Sequence, residues 1–351
     1  MLRRTLTGLV LLCATGPFST IQAQQTRPSL QPVKVVAPDR INVSTQSGVA
    51  LLPVYLSADW SKPHAKARRA VIIFHGILRN ADVYYASAIK ARAAAGESAS
   101  SMIIAPQFLT DYDAKAHGLG PDTLVWHRET WTGGTNAIAP APVSSFTAVD
   151  AILTKLADQA LFPSLTQVVI AGHSAGGQVV QRYAVVGKGE SILTARGIHV
   201  RYVVANPSSY VYFTPERPGP DGRLGSFPGA LTCPTYNDWK YGFAAGIPGY
   251  LDQTMDAYEV VYAARDVVYL LGANDTDPNH PELDKSCMGE AEGPYRYARG
   301  HWYFAQMQVR LGARFVHHLH DVPGVAHDNR KMFESACGLA ALFDKAECPP
   351  N

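Results

Sequence analysis

The 351-residue sequence has little charge, few cysteines and no hydrophobic run long enough to cross a bilayer. Charged residues make up 17% of the chain, and the formal net charge is +2. Arg3 and Arg4 lie in a predicted leader, so its removal leaves no excess of positive charge. A protein without a basic field has nothing to attract a phosphate backbone, so we expect no nucleic acid partner.

The N-terminus has the pattern of a secretory signal peptide over residues 1–23. A charged start, Met1–Arg4, precedes an apolar run over residues 6–14, and we predict cleavage after Ala23. That run is shorter than the about 20 residues that span a bilayer, so we expect no stable membrane insertion. Lipidation at Cys13 is the weaker alternative, and the paired arginines leave twin-arginine export open. The mature protein is therefore predicted to be secreted or periplasmic.

Four cysteines remain after removal of the leader, and an even number in an oxidising compartment favours disulfides. Three pairings are possible. We favour Cys337–Cys348, because it would hold the polar C-terminal tail, which leaves Cys233–Cys287 as the second pair. Unpaired buried thiols are the alternative. No cysteine or histidine spacing resembles a zinc site, so we predict no metal and no cofactor.

Short apolar runs alternate with helical segments from residue 50 to residue 351, which predicts one α/β domain with a mostly parallel sheet and helices on both faces. Residues 24–49, rich in Pro, Gln and Ser at their start, are expected to be a poorly ordered lead-in. The predicted strands cover residues 50–56, 70–74, 101–105, 167–171, 200–205, 267–271 and 314–319. The predicted helices cover residues 80–95, 145–160, 178–184 and 327–342.

Two connections, residues 107–143 and 207–264, are longer than a compact α/β unit requires. Both leave the carboxyl ends of strands, where ligands bind in open α/β sheets. The second follows the strand predicted over residues 200–205, is rich in aromatic residues and is predicted to be an inserted cap. The alternative is that its rings form a small core of their own. The predicted pocket residues are Trp126, Trp131, Tyr210 and Trp239.

The stretch Gly172-His173-Ser174-Ala175-Gly176-Gly177 lies between a predicted strand and a predicted helix. A serine in a Gly-x-Ser-x-Gly pattern at such a turn is typical of a nucleophile elbow. The turn is so sharp that a Cβ two residues on either side of the serine would clash, so Gly172 and Gly176 are required. A structural glycine-rich turn is the alternative, but we expect Ser174 to be a nucleophile.

From residue 50 to its C-terminal helix, the chain resembles the α/β-hydrolase superfamily, and is similar to bacterial secreted serine carboxylesterases and lipases. In that family the nucleophile precedes the acid, and the acid precedes the histidine. The resemblance therefore implies Asp275, after the strand predicted over residues 267–271, and His327, after the last. These two strands correspond to the seventh and eighth of the family's sheet, so the predicted cap follows its sixth strand. Asp277 remains an alternative acid, and a Ca²⁺ site formed with Asn274 is a remote one.

The resemblance also implies an oxyanion hole made of two backbone N–H groups. One is that of Ala175. The other lies in the His75-Gly76-Ile77 turn, where we expect Ile77 and then Gly76 as the donor.

These residues predict a hydrolase that cleaves a small-molecule or oligomeric carboxylic ester through an acyl-enzyme. A peptidase or amidase and an acyltransferase would use the same three side chains. A non-catalytic binding protein on this scaffold is the alternative from a different class. The sequence identifies neither a protein partner nor an oligomeric state.

Overall fold

The computed structural model describes residues 27–349, so the predicted signal peptide lies outside the described residues. Eight strands form the central sheet, and three 3₁₀ turns cover Pro28–Leu30, Thr130–Gly133 and Gly312–Arg314. The strands are β1 Asp39–Thr45, β2 Gly48–Leu56, β3 Arg69–Phe74, β4 Ser101–Pro106, β5 Gln167–His173, β6 His199–Ala205, β7 Asp266–Gly272 and β8 His318–Val322.

The strand order across the sheet is β1-β2-β4-β3-β5-β6-β7-β8. Strand β2 pairs antiparallel with both β1 and β4, and all other neighbours are parallel. This confirms the mostly parallel sheet predicted from the sequence. The parallel strands run in the same direction, so their carboxyl ends lie at one edge of the sheet. The loops after β3, β5, β7 and β8 come together at that edge.

Helices cover both faces of the sheet, as predicted. They are α1 Ala81–Ala94, α2 Asp111–His117, α3 Ser145–Leu156, α4 Ala175–Val186, α5 Glu190–Thr194, α6 Met255–Ala264, α7 Cys287–Glu290, α8 Arg296–Leu311, α9 Asn329–Glu334 and α10 Ala336–Phe343. The side chains of β3 alternate between the two faces, as the strand period of two requires. Val71 and Ile73 pack with residues of α1, α9 and α10, whereas Ile72 and Phe74 pack with residues of α3 and α4.

The lead-in is not poorly ordered where residues 39–45 form β1, so that expectation is wrong there. Ile41 and Val43 are buried and alternate with exposed residues, which lets β1 add to the sheet as an antiparallel edge strand. The last strand is displaced as well. It covers His318–Val322 instead of residues 314–319. The apolar Val316, which lies in the predicted range, precedes the strand and is exposed. The predicted C-terminal helix is divided into α9 and α10 at Ser335.

Two long connections follow β6 and β7. The first, residues 206–265, holds a short antiparallel pair, Arg217–Pro218 with Leu224–Gly225, and helix α6. The second, residues 273–317, holds α7 and α8; its amphipathic helix α8 was not predicted. Cys233–Cys287 joins the two connections, and Cys337–Cys348 ties the C-terminal tail to α10, so both favoured cysteine pairs are present. Within residues 27–349 no helix is both long and apolar enough to span a membrane.

Candidate active site

Ser174 occupies a strained turn between β5 and α4. Its backbone lies at φ 61° and ψ −124°, and its N–H donates to the carbonyl oxygen of Ala205 at 3.0 Å. A Cβ at Gly172 would collide with the backbone of Gly176. A Cβ at Gly176 would lie 2.7 Å from the carbonyl oxygen of His75. The two glycines are therefore needed because the turn brings three backbone segments into contact.

Three side chains from three loops meet above the sheet edge. Nε2 of His327 lies 2.9 Å from Oγ of Ser174, and Nδ1 of His327 lies 2.7 Å from Oδ2 of Asp275. With Nδ1–H donating to the carboxylate, Nε2 is left to accept the serine proton. Asp277 is exposed, and its carboxylate accepts the N–H of Asn279 at 2.8 Å. The structure thus brings Asp275, and not Asp277, to the histidine.

A buried guanidinium stands behind the carboxylate. Arg296 is fully buried, with Nη1 3.6 Å from Oδ1 of Asp275. Its Nε donates to Oγ of Ser208 at 3.0 Å, and its Nη2 donates to the carbonyl oxygen of Glu282 at 2.7 Å. Burial raises the pKa of the Asp275 carboxyl, and the charge of Arg296 opposes that shift. Arg296 therefore favours the ionised carboxylate that His327 needs as its partner.

The histidine is held in its neutral form. Burial, followed by the positive charge of Arg296, lowers the pKa of His327 well below its ordinary value of 6.5. The ring of His173 lies 4.4 Å from that of His327, and the ring of His280 lies 4.9 Å away, centroid to centroid. His173 thus packs on His327 itself. A neutral imidazole is the form that can accept a proton from Ser174.

The turn after β3 faces Ser174. Ile77 and Ala175 line the same cavity as Ser174, and their N–H groups have no protein acceptor in the part of the chain that the structure describes. The His75 side chain connects this turn to the segment that follows β4. Its Nδ1–H donates to the carbonyl oxygen of Gly76 at 2.8 Å, and its Nε2 accepts the N–H of Phe108 at 2.9 Å. Burial lowers the pKa of His75 to about 4, so the ring keeps this neutral tautomer.

The lead-in forms part of the wall of this cavity, which the sequence analysis missed. Arg79 and Asp113 form a buried ion pair, with Nε 2.7 Å from Oδ2. The Arg79 guanidinium also donates to the carbonyl oxygens of Ser29 and Gln31, at 2.7 Å each. Asp113 accepts the N–H of Val33 at 2.8 Å. Because Arg79 lies two residues after Ile77, this pair ties the lead-in to the turn that faces the serine.

A cavity of about 770 Å³ opens over Ser174. Of the four predicted pocket residues, only Trp239 lines it, with Nε1–H donating to the carbonyl oxygen of Gly133 at 2.6 Å. Trp126, Trp131 and Tyr210 are fully buried and do not line it, so that prediction is wrong for these three. Their rings gain more by packing in the core: Trp131, for example, stacks on Phe108 and contacts His75.

Comparison with known proteins identifies the fold. No protein-family profile and no curated protein sequence matches the chain. Among solved structures, the poly(aspartic acid) hydrolase-1 of Sphingomonas sp. KT-1 is similar with a TM-score of 0.58 at 20% identity, over 90% of this chain and 100% of that one. A poly(3-hydroxybutyrate) depolymerase from Bordetella parapertussis is similar with a TM-score of 0.59 at 22% identity, over 92% and 95%. The chain has the α/β-hydrolase fold.

Within this α/β-hydrolase fold, α8 and the loop before it contribute buried charged residues that no sequence motif predicted. Glu292 is fully buried, its carboxylate accepts the N–H of Tyr210 at 2.9 Å, and burial raises its pKa to about 8. The positive charges of Arg299 and Arg217 oppose part of this rise in the pKa of Glu292. A buried arginine on the same helix, Arg296, reaches Asp275. Among residues 27–349, no group of three or more His, Cys, Asp and Glu side chains has the arrangement of a metal site.

Proposed function

We propose that this protein is a serine hydrolase that cleaves carboxylic esters through an acyl-enzyme, with Ser174, His327 and Asp275 as its catalytic residues. The observation that carries the proposal is the continuous chain of contacts from Oγ of Ser174 to His327 at 2.9 Å and on to Asp275 at 2.7 Å. The strained backbone of Ser174 supports it, because strain of that kind is maintained at functional sites.

In the first half of the reaction, Oγ of Ser174 attacks the ester carbonyl while Nε2 of His327 takes the serine proton. The carbonyl π electrons move to oxygen, and the N–H groups of Ile77 and Ala175 are proposed to stabilise that oxyanion. The tetrahedral intermediate collapses, the C–O bond to the alcohol breaks, and His327 returns its proton to the leaving alcohol. Asp275 stabilises the imidazolium that exists between these steps.

In the second half, water replaces the alcohol. His327 removes a proton from the water as it attacks the acyl carbon, and the tetrahedral intermediate releases Ser174, which recovers its proton from His327. The products are a carboxylic acid and a regenerated enzyme. An acyltransferase would differ only in that a second alcohol takes the place of water, so competition between water and an added alcohol measures which acceptor the site prefers.

The two similar solved structures support a substrate built of repeated acyl units. One is a poly(aspartic acid) hydrolase, named for a polyamide, and the other is a poly(3-hydroxybutyrate) depolymerase, named for a polyester. We propose that the substrate is an ester rather than an amide, and that it is a small molecule or an oligomer. Residues 207–264 are proposed to act as the cap of this site, and an exported location accords with the two disulfides.

The decisive experiment combines covalent labelling with turnover. A fluorophosphonate probe should label the wild-type protein and should fail to label Ser174→Ala. p-Nitrophenyl butyrate turnover should fall below a tenth of wild type in both Ser174→Ala and His327→Ala. A wild-type protein that is not labelled, beside a labelled control esterase, would favour the binding-protein alternative. An anilide assayed in parallel would favour the amidase alternative if it were the better substrate.

The two candidate acids provide a matched pair of variants. Asp275→Asn should lower kcat by about 10³–10⁴-fold, because the amide leaves the imidazole in the wrong tautomer. Asp277→Asn removes the same charge two residues away, where the side chain is exposed and bonded within its own turn. It should keep kcat within about twofold of wild type. Equal losses in the two variants would remove Asp275 from the mechanism.

A further inference from the structure

The cavity over Ser174 holds one ammonium group without an ionic partner. Lys240 lines the cavity and is partly buried. Its Nζ donates to Oγ1 of Thr132 at 3.1 Å and lies 5.9 Å from the ring centre of Tyr241. Between residues 27 and 349 no carboxylate lies within 4.0 Å of it. A cation removed from water in this way is unfavourable unless something compensates it.

The carboxylate of Asp284, which acts on Lys240 through its charge, already accepts other hydrogen bonds. Asp284 accepts from the hydroxyl of Tyr241 at 2.7 Å and from both the hydroxyl and the N–H of Ser286, at 2.6 and 3.0 Å. Its charge reaches Lys240 only at longer range. By contrast, Lys285, which lines the same cavity, is paired with Glu290 at 2.5 Å. Lys240 is thus left with a neutral hydroxyl and a ring face where a carboxylate would fit.

We infer that Lys240 binds a carboxylate of the substrate, so that the preferred ester carries one free carboxylate in addition to the bond that is cleaved. This inference rests on the proposed ester hydrolysis. It specifies the substrate class: a half-ester of a dicarboxylic acid, the acid end of a hydroxyacid oligomer, or an ester of a hydroxy-carboxylic acid. The ammonium supplies a charge-assisted hydrogen bond to that carboxylate.

The charge of the cavity as a whole favours a single anchoring point. Its lining carries four cationic and three acidic side chains, so it presents no broad positive field. Lys285 is paired with Glu290, and Arg27 and Arg128 are exposed to solvent. Among residues 27–349, Lys240 is therefore the cation of this lining that is both partly buried and without a carboxylate partner. A polyanion would bring several of its charges close to acids such as Glu129 and Glu282, both of which line the cavity. One carboxylate held at Lys240 avoids that repulsion. We therefore expect a substrate with one recognised negative charge rather than many.

Position supports a role in substrate binding. The carbonyl oxygen of Lys240 accepts from Nε of Arg182 at 3.1 Å, and Arg182 lies on α4, the helix that begins directly after Ser174. Gln178, one turn into that helix, lines the cavity and accepts from Arg182 at 2.9 Å. The backbone of Lys240 is therefore anchored to the helix of the nucleophile. The point from which the Lys240 side chain enters the cavity is consequently fixed relative to Ser174, and Thr132 holds the ammonium at its far end.

The test compares two pairs of esters on the full-length mature protein. The first pair is the mono-p-nitrophenyl ester of adipic acid and its carboxamide counterpart, which places the charge on the acyl side. The second pair is 4-carboxyphenyl butyrate and 4-carbamoylphenyl butyrate, which places it on the alcohol side. In at least one pair, the wild-type kcat/KM should be about tenfold or more higher for the carboxylate, mainly through KM.

Lys240→Met should reduce that preference to within about twofold, and Lys240→Arg should keep part of it. Lys285→Met, which removes a paired lysine from the same cavity, should leave the preference within about twofold of wild type. Fluorophosphonate labelling of Ser174 in each variant checks that the site is intact.

Two results would overturn the inference alone: wild type without a preference in either pair, or Lys240→Met that lowers both members of each pair equally. Absence of Ser174-dependent turnover of every ester would overturn the proposed function and this inference with it.

Discussion

Replacing Gly176 with alanine tests the geometry on which the candidate site depends. The new Cβ would lie 2.7 Å from the carbonyl oxygen of His75 and closer still to that of Phe74, whereas ordinary contact begins near 3.4 Å. Both oxygens belong to backbone and cannot rotate away. The turn that carries Ile77 must therefore withdraw from the serine by about 0.7 Å or more.

Two magnitudes follow for Gly176→Ala. Forcing an extra carbon into packed backbone costs about 1–3 kcal/mol of unfolding free energy. Displacing a catalytic group by about 1 Å costs about 10²-fold in rate. Because the protein should remain folded at that loss of stability, we expect kcat/KM for p-nitrophenyl butyrate to fall about 100-fold in a soluble, cooperatively unfolding variant.

The assay for Gly176→Ala is turnover at low temperature beside a urea unfolding curve, with Gly225→Ala as the matched control. A Cβ at Gly225 meets no atom within 4 Å, and its φ lies outside the left-handed region. The control should keep wild-type kcat/KM within about twofold. Gly176→Ala with more than half of wild-type kcat/KM would refute the argument that the elbow packs directly against the turn after β3.

Three further predictions concern pH and the lead-in. First, the acid limb of kcat/KM for p-nitrophenyl butyrate should have its midpoint below pH 6.5, because the pKa of His327 is lowered and the neutral ring persists as pH falls; a midpoint at pH 7 or above would contradict this. Second, the free energy of unfolding should decrease as pH falls from 6.5 towards 4. Burial lowers the pKa of His75 and His317 to about 4 in the folded protein, so the unfolded chain takes up these protons at higher pH. The raised pKa of Glu292, about 8, acts in the opposite sense and offsets part of the decrease. A flat profile from urea unfolding at each pH would count against it. Third, Arg79→Met should lower the unfolding free energy by about 3–5 kcal/mol, because it leaves the buried Asp113 unpaired; a loss under about 1 kcal/mol would show that the pair does not hold the lead-in.

The elbow could be predicted because it depends on local sequence. Gly172, Ser174 and Gly176 define a sharp turn within five residues. Asp275 and His327 were implied by the resemblance, which places an acid and a histidine after the last two strands. Because parallel strands end at the same edge of the sheet, both residues are expected near Ser174. The mostly parallel sheet was predictable as well, because apolar runs that alternate with helical segments favour parallel strands joined by crossover helices.

The walls of the site and its electrostatics were decided by tertiary structure alone. Trp131 and Tyr210 are aromatic residues of the kind that line pockets, yet both pack in the core. Whether such a ring faces a cavity or the core depends on the segments packed around it. Arg296 reaches Asp275, and Lys240 reaches the cavity, through contacts between segments that are far apart in sequence. Short motifs indicate the chemistry of the site. The substrate that its cavity can hold depends on packing between distant segments, which no local sequence pattern contains.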